Sequence, residues 1–323
     1  MNLIPDWQCD GVILVLPTVF MEYYDENLTE LELFYADFLQ QIAKYDWVTC
    51  LVPDMTHAKR MMHLTNLSEE IFLISETEDI WVRDFAPIQT KFSYLKLKFN
   101  PTYESKVNNQ YIDRSFLESL IELQLNDLEF IDLYLEGGNF IHNGNGTAII
   151  TDKVYRQNKF KTPPEIEFLI KDKLAVERLI IVSTEPGDRT GHIDGMMRWI
   201  DGERLLINDY QNVYPNSKFY QQLKICLEHQ LPDVELIILP YTPTAKKYKG
   251  WYSAAGNYIN YLRTKNRVYI PVFGNSIESE IKQIYRQLFQ QQVSFISSEA
   301  IAKYGGLLNC ISWNYRQLTT NNL

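Results

Sequence analysis

Polar residues that could take part in chemistry recur beside glycine or at strand ends in five segments of the 323-residue chain. A cysteine thiolate is a nucleophile, a histidine exchanges protons near neutral pH, and paired carboxylates can hold a planar cation. A nucleophile and base formed by Cys310 and His192 is therefore one chemical interpretation. The five polar segments are DIWVRDFAP, LEGGNF, GHIDG, AAGNYIN and GGLLNCISW, which contain Asp84, Glu136, His192, Asp194, Asn260 and Cys310.

Taken singly, each of these residues also has a purely structural interpretation. A lone histidine such as His192 is more often a hydrogen-bonded core residue, and Cys310, flanked by leucines and an isoleucine, is more often a small buried hydrophobe. The histidines and cysteines lack the spacing of metal ligands, so no metal is expected. The other structural alternatives are a surface ion pair of Arg83 with Asp84, turns at Glu136 and Asp194, a scaffold role for Asn260, and core positions for Trp81, Trp199, Trp251 and Trp313.

The spacing of the five polar segments favours their convergence on one site. Successive segments lie roughly 50 to 70 residues apart, which indicates a structural repeat without an obvious sequence repeat. Units of similar size arranged around an axis would each bring one polar segment to a common centre. The joint order of the segments therefore outweighs the structural alternative that each one has alone.

Composition limits the classes of function. Apolar residues make up 46% of the chain and charged residues 22%, as in ordinary globular proteins. The net charge of −10 and the lack of a basic patch exclude nucleic acid as a partner and suit a cationic small molecule. The apolar run GVILVLP is too short to cross a membrane, and Asp6 and Asp10 beside it are unlike a signal peptide. The four scattered cysteines form no CxxC pair, so we expect a cytoplasmic protein with reduced thiols.

Short β-rich runs alternate with helical patterns along the chain, without a linker or a shift in composition. This alternation predicts one α/β domain over residues 1–323, and the glycine-rich motifs of nucleotide-binding loops are missing. The predicted strands are 11–16, 47–52, 70–75, 92–98, 147–151, 179–183, 204–208, 234–239, 267–272 and 292–296. The predicted helices are 29–44, 115–125, 164–173, 217–229 and 278–290.

Local signals place some of the element boundaries. Thr29 and Glu32 have the spacing of a capping box at the start of the first helix. Pro163 and Pro164 are typical of another helix start. The polar segment 100–113 is predicted to be a loop.

The motifs of the polar segments resemble those of the agmatine deiminase and bacterial peptidylarginine deiminase group in the guanidine-modifying (pentein) superfamily. WVRDFAP resembles the W-x-R-D-x-x-P motif of that group, and YLEGGNFIHNGNGTAIIT resembles its LEGG stretch followed by G-x-G. GHIDG resembles its GH-I/V-D motif, and NYLRTKNRVYIP is similar to its asparagine followed by a strand. GGLLNC is similar to its glycine-rich approach to the cysteine, so the resemblance runs from IPDWQCD to GGLLNCISW and covers nearly the whole chain.

The resemblance implies an α/β fold, namely a five-bladed α/β propeller of repeated ββαβ units. It also implies hydrolysis of a guanidinium to a ureido group with release of ammonia. Because the sequence has no metal-spaced His/Cys cluster and no nucleotide-binding loop, we expect the protein to work without a metal or an organic cofactor. The residues carried over by motif are Cys310 as nucleophile, His192 as acid and base, Glu136 as support of His192, Asp84 and Asp194 as guanidinium ligands, and Asn260 and Trp81 as pocket residues.

Two segments depart from agmatine deiminases and bear on the substrate rather than on the reaction. PTYESK follows Phe99 and Asn100, where that group has an aromatic residue before two glycines. VYRQNKFKTPP stands where the group reads close to N-x-N-R-N-P. Agmatine, converted to N-carbamoylputrescine for polyamine synthesis, is the first predicted substrate. Peptidyl or free arginine, or another small guanidine, is the alternative.

Other reactions and other classes of protein stay open at this point. Amidino transfer and dimethylarginine hydrolysis are the related reactions to exclude. A pentein that only binds its ligand would be expected to lack the cysteine or the histidine, and both are present. A cysteine protease is disfavoured because three acids around the site suit a cation better than a neutral amide. A small cationic guanidine is the expected partner, nucleic acid and membrane are not, and a homodimer is left open.

Overall fold

Short strands and helices alternate along the protein, whose computed structural model describes residues 3–18, 21–101, 106–125, 127–290 and 292–316. The strands in these residues are β1 (Gly11–Val15), β2 (Trp47–Val52), β3 (Phe72–Ile74), β4 (Ile88–Gln89), β5 (Tyr94–Lys98), β6 (Leu128–Tyr134), β7 (Ile141–His142), β8 (Thr147–Thr151), β9 (Arg178–Val182), β10 (Met197–Trp199), β11 (Arg204–Asn208), β12 (Glu235–Leu239), β13 (Lys247–Tyr248), β14 (Trp251–Tyr252), β15 (Leu262–Arg263), β16 (Val268–Val272), β17 (Val293–Ser297) and β18 (Ser312–Tyr315). The helices are α1 (Leu28–Ala43), α2 (Met55–Thr65), α3 (Val82–Phe85), α4 (Lys106–Glu122), α5 (Lys153–Gln157), α6 (Pro163–Lys173), α7 (Tyr210–Val213), α8 (Lys218–Gln230), α9 (Glu278–Leu288) and α10 (Glu299–Ala302).

Four sheets in the described residues repeat one arrangement, namely β4-β5-β6, β7-β8-β9, β10-β11-β12 and β15-β16-β17. In each sheet the first strand pairs antiparallel with the second, and the second pairs parallel with the third. A parallel pair needs a long crossover, and one or two helices supply it each time. Each of these sheets is therefore one ββαβ unit of a mixed α/β fold.

A further sheet joins the two ends of the described chain. Its strand order is β18-β1-β2-β3. β1 pairs parallel with β2, where Gly11 faces Trp47, and antiparallel with β18, where Gly11 faces Tyr315. β18 thus takes the place that the first strand has in the other units, although it comes last in the sequence.

The second strand of each unit is almost entirely buried, because helices and neighbouring sheets cover it. All five residues of β1 and all five of β8 are buried. A strand covered on both faces reads as a continuous apolar run, which explains the sequences GVILV and TAIIT. Helix α1 packs on this core with the apolar stripe expected from the sequence, which contains Leu31, Phe34, Tyr35, Phe38, Leu39 and Ile42. Within the described ranges, no helix has the length and apolar content needed to span a membrane.

Two expectations about helices are wrong. Segment 100–113 is not all loop, because α4 begins at Lys106 and ends at Glu122, in place of the predicted helix 115–125. Its buried apolar residues include Ile112, Phe116 and Leu120, a stripe four residues apart that is too narrow to stand out among polar neighbours.

The capping box at Thr29 and Glu32 is also wrong. Helix α1 begins at Leu28 after Asn27, and the Glu32 carboxylate lies 2.6 Å from Arg60 Nη2 of α2. A capping box is instead formed by Thr162 and Glu165 at the start of α6. The helix start expected at Pro163 and Pro164 is confirmed there.

The short strands that begin units, and β6, were not predicted from the sequence. β4, β7 and β15 contain two residues each, which is too short for any periodic signal. β6 exposes several of its seven residues, including Phe130, so the strand lacks a clean alternation of apolar and polar positions.

Candidate active site

A cavity of about 1500 Å³ brings most of the predicted site residues together. Glu136 does not border the cavity and lies fully buried behind His192. The predicted residues that border the cavity are Trp81, Asp84, His192, Asp194, Asn260 and Cys310.

Apart from Trp81, each of these residues lies just before the first strand of a unit, and so does Glu136, which explains their regular spacing in the sequence. The short loop before that strand turns the chain toward the cavity in every unit. Asp84 precedes β4, Glu136 precedes β7, His192 and Asp194 precede β10, Asn260 precedes β15, and Cys310 precedes β18, all within five residues.

His192 lies between two carboxylates. Its Nε2 is 2.6 Å from Glu136 Oε2, and its Nδ1 is 3.5 Å from Asp84 Oδ1. Since Asp84 borders the cavity and Glu136 does not, Nε2 is the anchored ring nitrogen and Nδ1 is on the cavity side. The backbone N–H of His192 donates to Asp188 Oδ2 over 3.2 Å, which fixes the loop that carries the ring.

Lys153 belongs to the same cluster, although it was not predicted from the sequence. It begins α5, and its side chain is only 4% exposed. Its Nζ donates a hydrogen bond to Glu136 Oε2 and lies 3.3 Å from His192 Nε2. Gln157, one helical turn later, donates to Glu136 Oε1. The only signal in the sequence was that this stretch adjoins the segment that departs from agmatine deiminases.

Cys310 has a carboxylate and an amide as neighbours. Its Sγ is 3.4 Å from Asn260 Oδ1 and 3.7 Å from Asp194 Oδ2. Asn309, which the sequence analysis also missed, donates from Nδ2 to Asp194 Oδ2 over 2.7 Å and so orients that carboxylate. Asp194 therefore lies beside both the sulfur and the loop that carries it.

Arg83 does not form the surface ion pair with Asp84 that was considered above. Its side chain is 12% exposed and runs the other way, with Nη1 3.6 Å from Asp6 Oδ1. Its Nε donates to the backbone oxygen of Asn309, and its backbone N–H donates to the oxygen of Cys310 over 3.1 Å. Arg83 thus ties the first polar segment to the last one.

The paired glycines of the polar segments allow this close packing. A Cβ at Gly137 would lie 2.0 Å from the backbone oxygen of Arg83, and a Cβ at Gly306 would lie 2.3 Å from the Trp81 ring. Gly191 has a φ of +65° and packs against the Lys153 side chain. Its role in the structure is therefore backbone conformation and packing.

The two carboxylates beside His192 have opposite pKa shifts. Burial, together with the charges of Glu136 and Asp194, raises the pKa of Asp84 to about 6 against the effect of His192. Burial alone would also raise the pKa of Glu136, but the hydrogen bond with His192 and the charge of Lys153 lower it to about 2. Glu136 is thus a fixed charge, whereas Asp84 titrates near neutral pH.

Cys310 and His192 both hold their protons more tightly than usual. Burial raises the pKa of the Cys310 thiol well above its ordinary value, and the charges of Asp194 and Asp84 add to this. Burial alone would lower the pKa of His192, but the charges of Asp84 and Glu136 outweigh burial and Lys153, and the pKa is raised. A cation bound between Asp84 and Asp194 would offset the repulsion that keeps the thiol protonated.

The rest of the cavity wall is acidic and aromatic. Glu185 accepts hydrogen bonds from Tyr210, Tyr214 and Tyr241, and its burial raises its pKa to about 7. Trp251 borders the cavity rather than the core, while Trp199 and Trp313 are core residues.

Lys249 is the one Lys or Arg among the described lining residues, against eight acids. These acids are Asp54, Glu76, Glu78, Asp79, Asp84, Glu185, Asp188 and Asp194.

The arrangement offers a thiol, an acid–base imidazole and carboxylates around one space. Two carboxylates can accept paired N–H donors from a planar cation and hold it against a nucleophile. Among the described residues, no group of three His, Cys, Asp or Glu side chains is placed to hold a metal ion. The geometry therefore suits covalent chemistry on a cationic carbon centre.

Comparisons with solved structures show which fold this is. The chain superposes on an agmatine deiminase of C. jejuni with a TM-score of 0.84, 21% identity, and coverage of 97% of this chain and 95% of the other. It superposes on the DDAH of Pseudomonas aeruginosa with a TM-score of 0.59 at 13% identity, covering 95% of this chain and all of the other. The protein therefore has the mixed α/β fold of the penteins.

The sequence places the chain more narrowly. It is 23% identical to the agmatine deiminase of Stutzerimonas stutzeri over 281 residues, which cover 73% of this chain and 74% of that protein. Residues 3–315 match the Porphyromonas-type peptidyl-arginine deiminase family, and the chain belongs to that family. The resemblance seen in the motifs is thereby confirmed, and the protein is a hydrolase of guanidino carbon–nitrogen bonds.

Proposed function

We propose that the protein hydrolyses the guanidinium group of agmatine to a ureido group, which yields N-carbamoylputrescine and ammonia. The observation that carries the choice of agmatine is the charge of the cavity wall, where eight acids face a single lysine among the described lining residues. Agmatine has two cationic ends and no carboxylate, so both ends suit such a wall. The agmatine deiminase of C. jejuni, also solved with substrate bound as a variant with serine in place of a cysteine, has the same fold and supports this choice.

In the proposed mechanism, Asp84 and Asp194 accept hydrogen bonds from the guanidinium and present its carbon to Cys310. The bound cation stabilises the thiolate, and the thiol proton passes to His192. The sulfur bonds to the carbon, one carbon–nitrogen bond breaks, and the departing nitrogen takes the proton from His192 and leaves as ammonia.

The second half of the reaction frees the enzyme. His192 takes a proton from water, and the resulting hydroxide adds to the carbon of the thiouronium intermediate. The carbon–sulfur bond then breaks with its electron pair returning to Cys310, and the hydroxyl proton of the product passes to that thiolate. The ureido product leaves, and His192 gives its own proton to the solvent or to the ammonia. Glu136 holds the imidazole through Nε2 in both halves, while Asn260 and Trp81 line the pocket.

The fold arrangement that fits this proposal is a five-bladed propeller in a single domain. Its support is the repetition of the ββαβ units and the position of each site residue just before the first strand of a unit. Such an arrangement places five loops around one axis. A cytoplasmic location is part of the same proposal.

Peptidyl arginine is the second candidate substrate. It is favoured by the size of the cavity, because about 1500 Å³ exceeds the roughly 300–1,000 Å³ of ordinary small-molecule pockets. A peptide chain could occupy the outer part of such a space.

A guanidine panel decides between these candidates. Agmatine, arginine, dimethylarginine and an arginine-containing peptide are supplied separately, and both ammonia and ureido product are measured. We expect the highest kcat/KM with agmatine. A higher value with the peptide would move the assignment to a peptidylarginine deiminase. Binding of guanidines without ammonia release from any of them would identify a non-catalytic binding protein.

A further inference from the structure

Lys153 is a buried cation that the proposed mechanism does not use. Its side chain is 4% exposed and extends from the first turn of α5, packed against Gly191, to the pair formed by Glu136 and His192. Burying a lysine is costly unless a partner compensates its charge. Glu136 is that partner, and it also accepts from Gln157 and His192, so its two oxygens have three donors.

The position of Lys153 matters because it shares one ring nitrogen with Glu136. An ammonium group can only donate hydrogen bonds. When His192 is protonated, Nε2–H donates to Glu136 Oε2, 2.6 Å away, and the nearby ammonium repels the imidazolium. When His192 gives up its Nδ1 proton, Nε2–H still donates to Glu136 Oε2, Nδ1 can act as a base, and Lys153 Nζ, 3.3 Å from Nε2, no longer faces a charged ring. Lys153 therefore favours the neutral ring, whereas Glu136 favours the charged one.

We propose that Lys153 is a positioning residue that balances Glu136, so that His192 can both give up and regain a proton at Nδ1 during turnover. The effect of Lys153 on turnover rests on the proposed function. Its effect on the protonation of the His192 ring does not. Without Lys153, two carboxylates would act on the imidazole unopposed, and the ring would keep its proton when the second half-reaction needs a base.

The other charged groups that face His192 do not replace Lys153. Glu136 and Asp84 are the acids within reach of its ring, and Asp194 lies beyond Asp84 against the Cys310 sulfur. The charges of Asp84 and Glu136 raise the pKa of His192, and the charge of Lys153 lowers it. Asp188 contacts only the backbone N–H of His192 in the bonds described above.

The test replaces Lys153 and follows the ring directly. Lys153→Met removes the charge and keeps most of the side-chain volume, and Lys153→Arg restores a cation. The titration of His192 is read by NMR of the histidine ring, assigned with a His192→Gln variant. We expect the titration midpoint of His192 to move to higher pH by about one pH unit or more in Lys153→Met. In Lys153→Arg, the midpoint should lie close to that of the wild type.

Lys96 provides the matched control. It is another lysine with a 3% exposed side chain, and it pairs with Asp113 outside the cavity. Lys96→Met should destabilise the fold in the way that loss of a buried pair does, yet leave the His192 titration unchanged. An equal shift in both methionine variants, or no shift in Lys153→Met, would overturn the proposal.

The pH dependence of ammonia release gives the second readout. The limbs of the kcat profile that report His192 should move to higher pH in Lys153→Met, and kcat should change more than KM because the charge does not touch the substrate. If no guanidine yields ammonia in the wild type, the proposed function fails, while the NMR titration still decides the role of Lys153. If the His192 titration shifts but the kcat profile does not, Lys153 affects the ring without affecting turnover. That result would overturn the proposed role of Lys153 in catalysis.

Discussion

The substitution Gly138→Ala tests whether His192 and Asp84 must keep their present separation. A Cβ at Gly138 would lie 2.7 Å from both His192 Nδ1 and Asp84 Oδ1. Ordinary contact begins near 3.4 Å, so each group must withdraw by roughly 0.7 Å. Gly138 does not have a positive φ, so the methyl group adds crowding without backbone strain.

The expected loss follows from the geometry of proton transfer. A misplacement of about 1 Å near the reacting atoms costs on the order of 100-fold in rate. We therefore expect kcat/KM for the best guanidine to fall about 100-fold, equivalent to about 2.7 kcal/mol of transition-state stabilisation. Steady-state ammonia release measures this, and thermal unfolding checks that the variant stays folded.

Gly202→Ala is the matched control for Gly138→Ala. Gly202 also lacks a positive φ, and a Cβ there meets no atom within 4 Å. The Gly202→Ala substitution lowers the conformational entropy of the unfolded chain as Gly138→Ala does, but it does not crowd the site. Its kcat/KM should equal that of the wild type. A Gly138→Ala variant with wild-type kcat/KM would refute the assignment of His192 Nδ1 and Asp84 to the reacting centre.

Three further outcomes follow from the site. Cys310→Ala should abolish ammonia release yet still bind guanidines in calorimetry, because Asp84 and Asp194 remain; release at a near wild-type rate would contradict covalent catalysis. Guanidine binding to Cys310→Ala should weaken below about pH 6, because protonation of Asp84 removes a charge that the cation needs, and Asp84→Asn should lack this pH dependence. Ammonia release should persist after treatment with a chelator; loss of activity that added zinc restores would show a metal requirement.

The parts of the fold that the sequence revealed are those with a strong local pattern. β1 and β8 are long apolar runs, and α1 has a wide apolar stripe, so each could be recognised from its own residues. α4 could not, because its buried face is one narrow stripe and part of its packing, such as Phe116 against Trp313, is with an element far away in the chain. The two-residue strands depend entirely on their partners, and no local signal marks them.

The site residues also differ in whether the sequence alone could reveal them. His192 and Asp194 stand between Gly191 and Gly195, Glu136 precedes a glycine pair, and Cys310 follows another pair, and this arrangement was visible in the sequence. Lys153 has no such mark, because a lysine at the start of a helix is usually exposed. Its burial depends on Glu136, which lies in a different sheet connection, so only the three-dimensional structure shows it.

The pairing of β1 with β18 imposes an order on the appearance of activity during protein synthesis. Translation proceeds from the N-terminus, so β1 stays unpaired on one side until β18 has been made. Closing a loop of that length adds little entropic cost, since the cost grows only with the logarithm of length. Cys310 lies two residues before β18, so a growing chain exposes its acidic residues long before it holds the thiol. The proposed reaction therefore cannot begin in the nascent protein until β18, with Cys310 before it, has docked on β1.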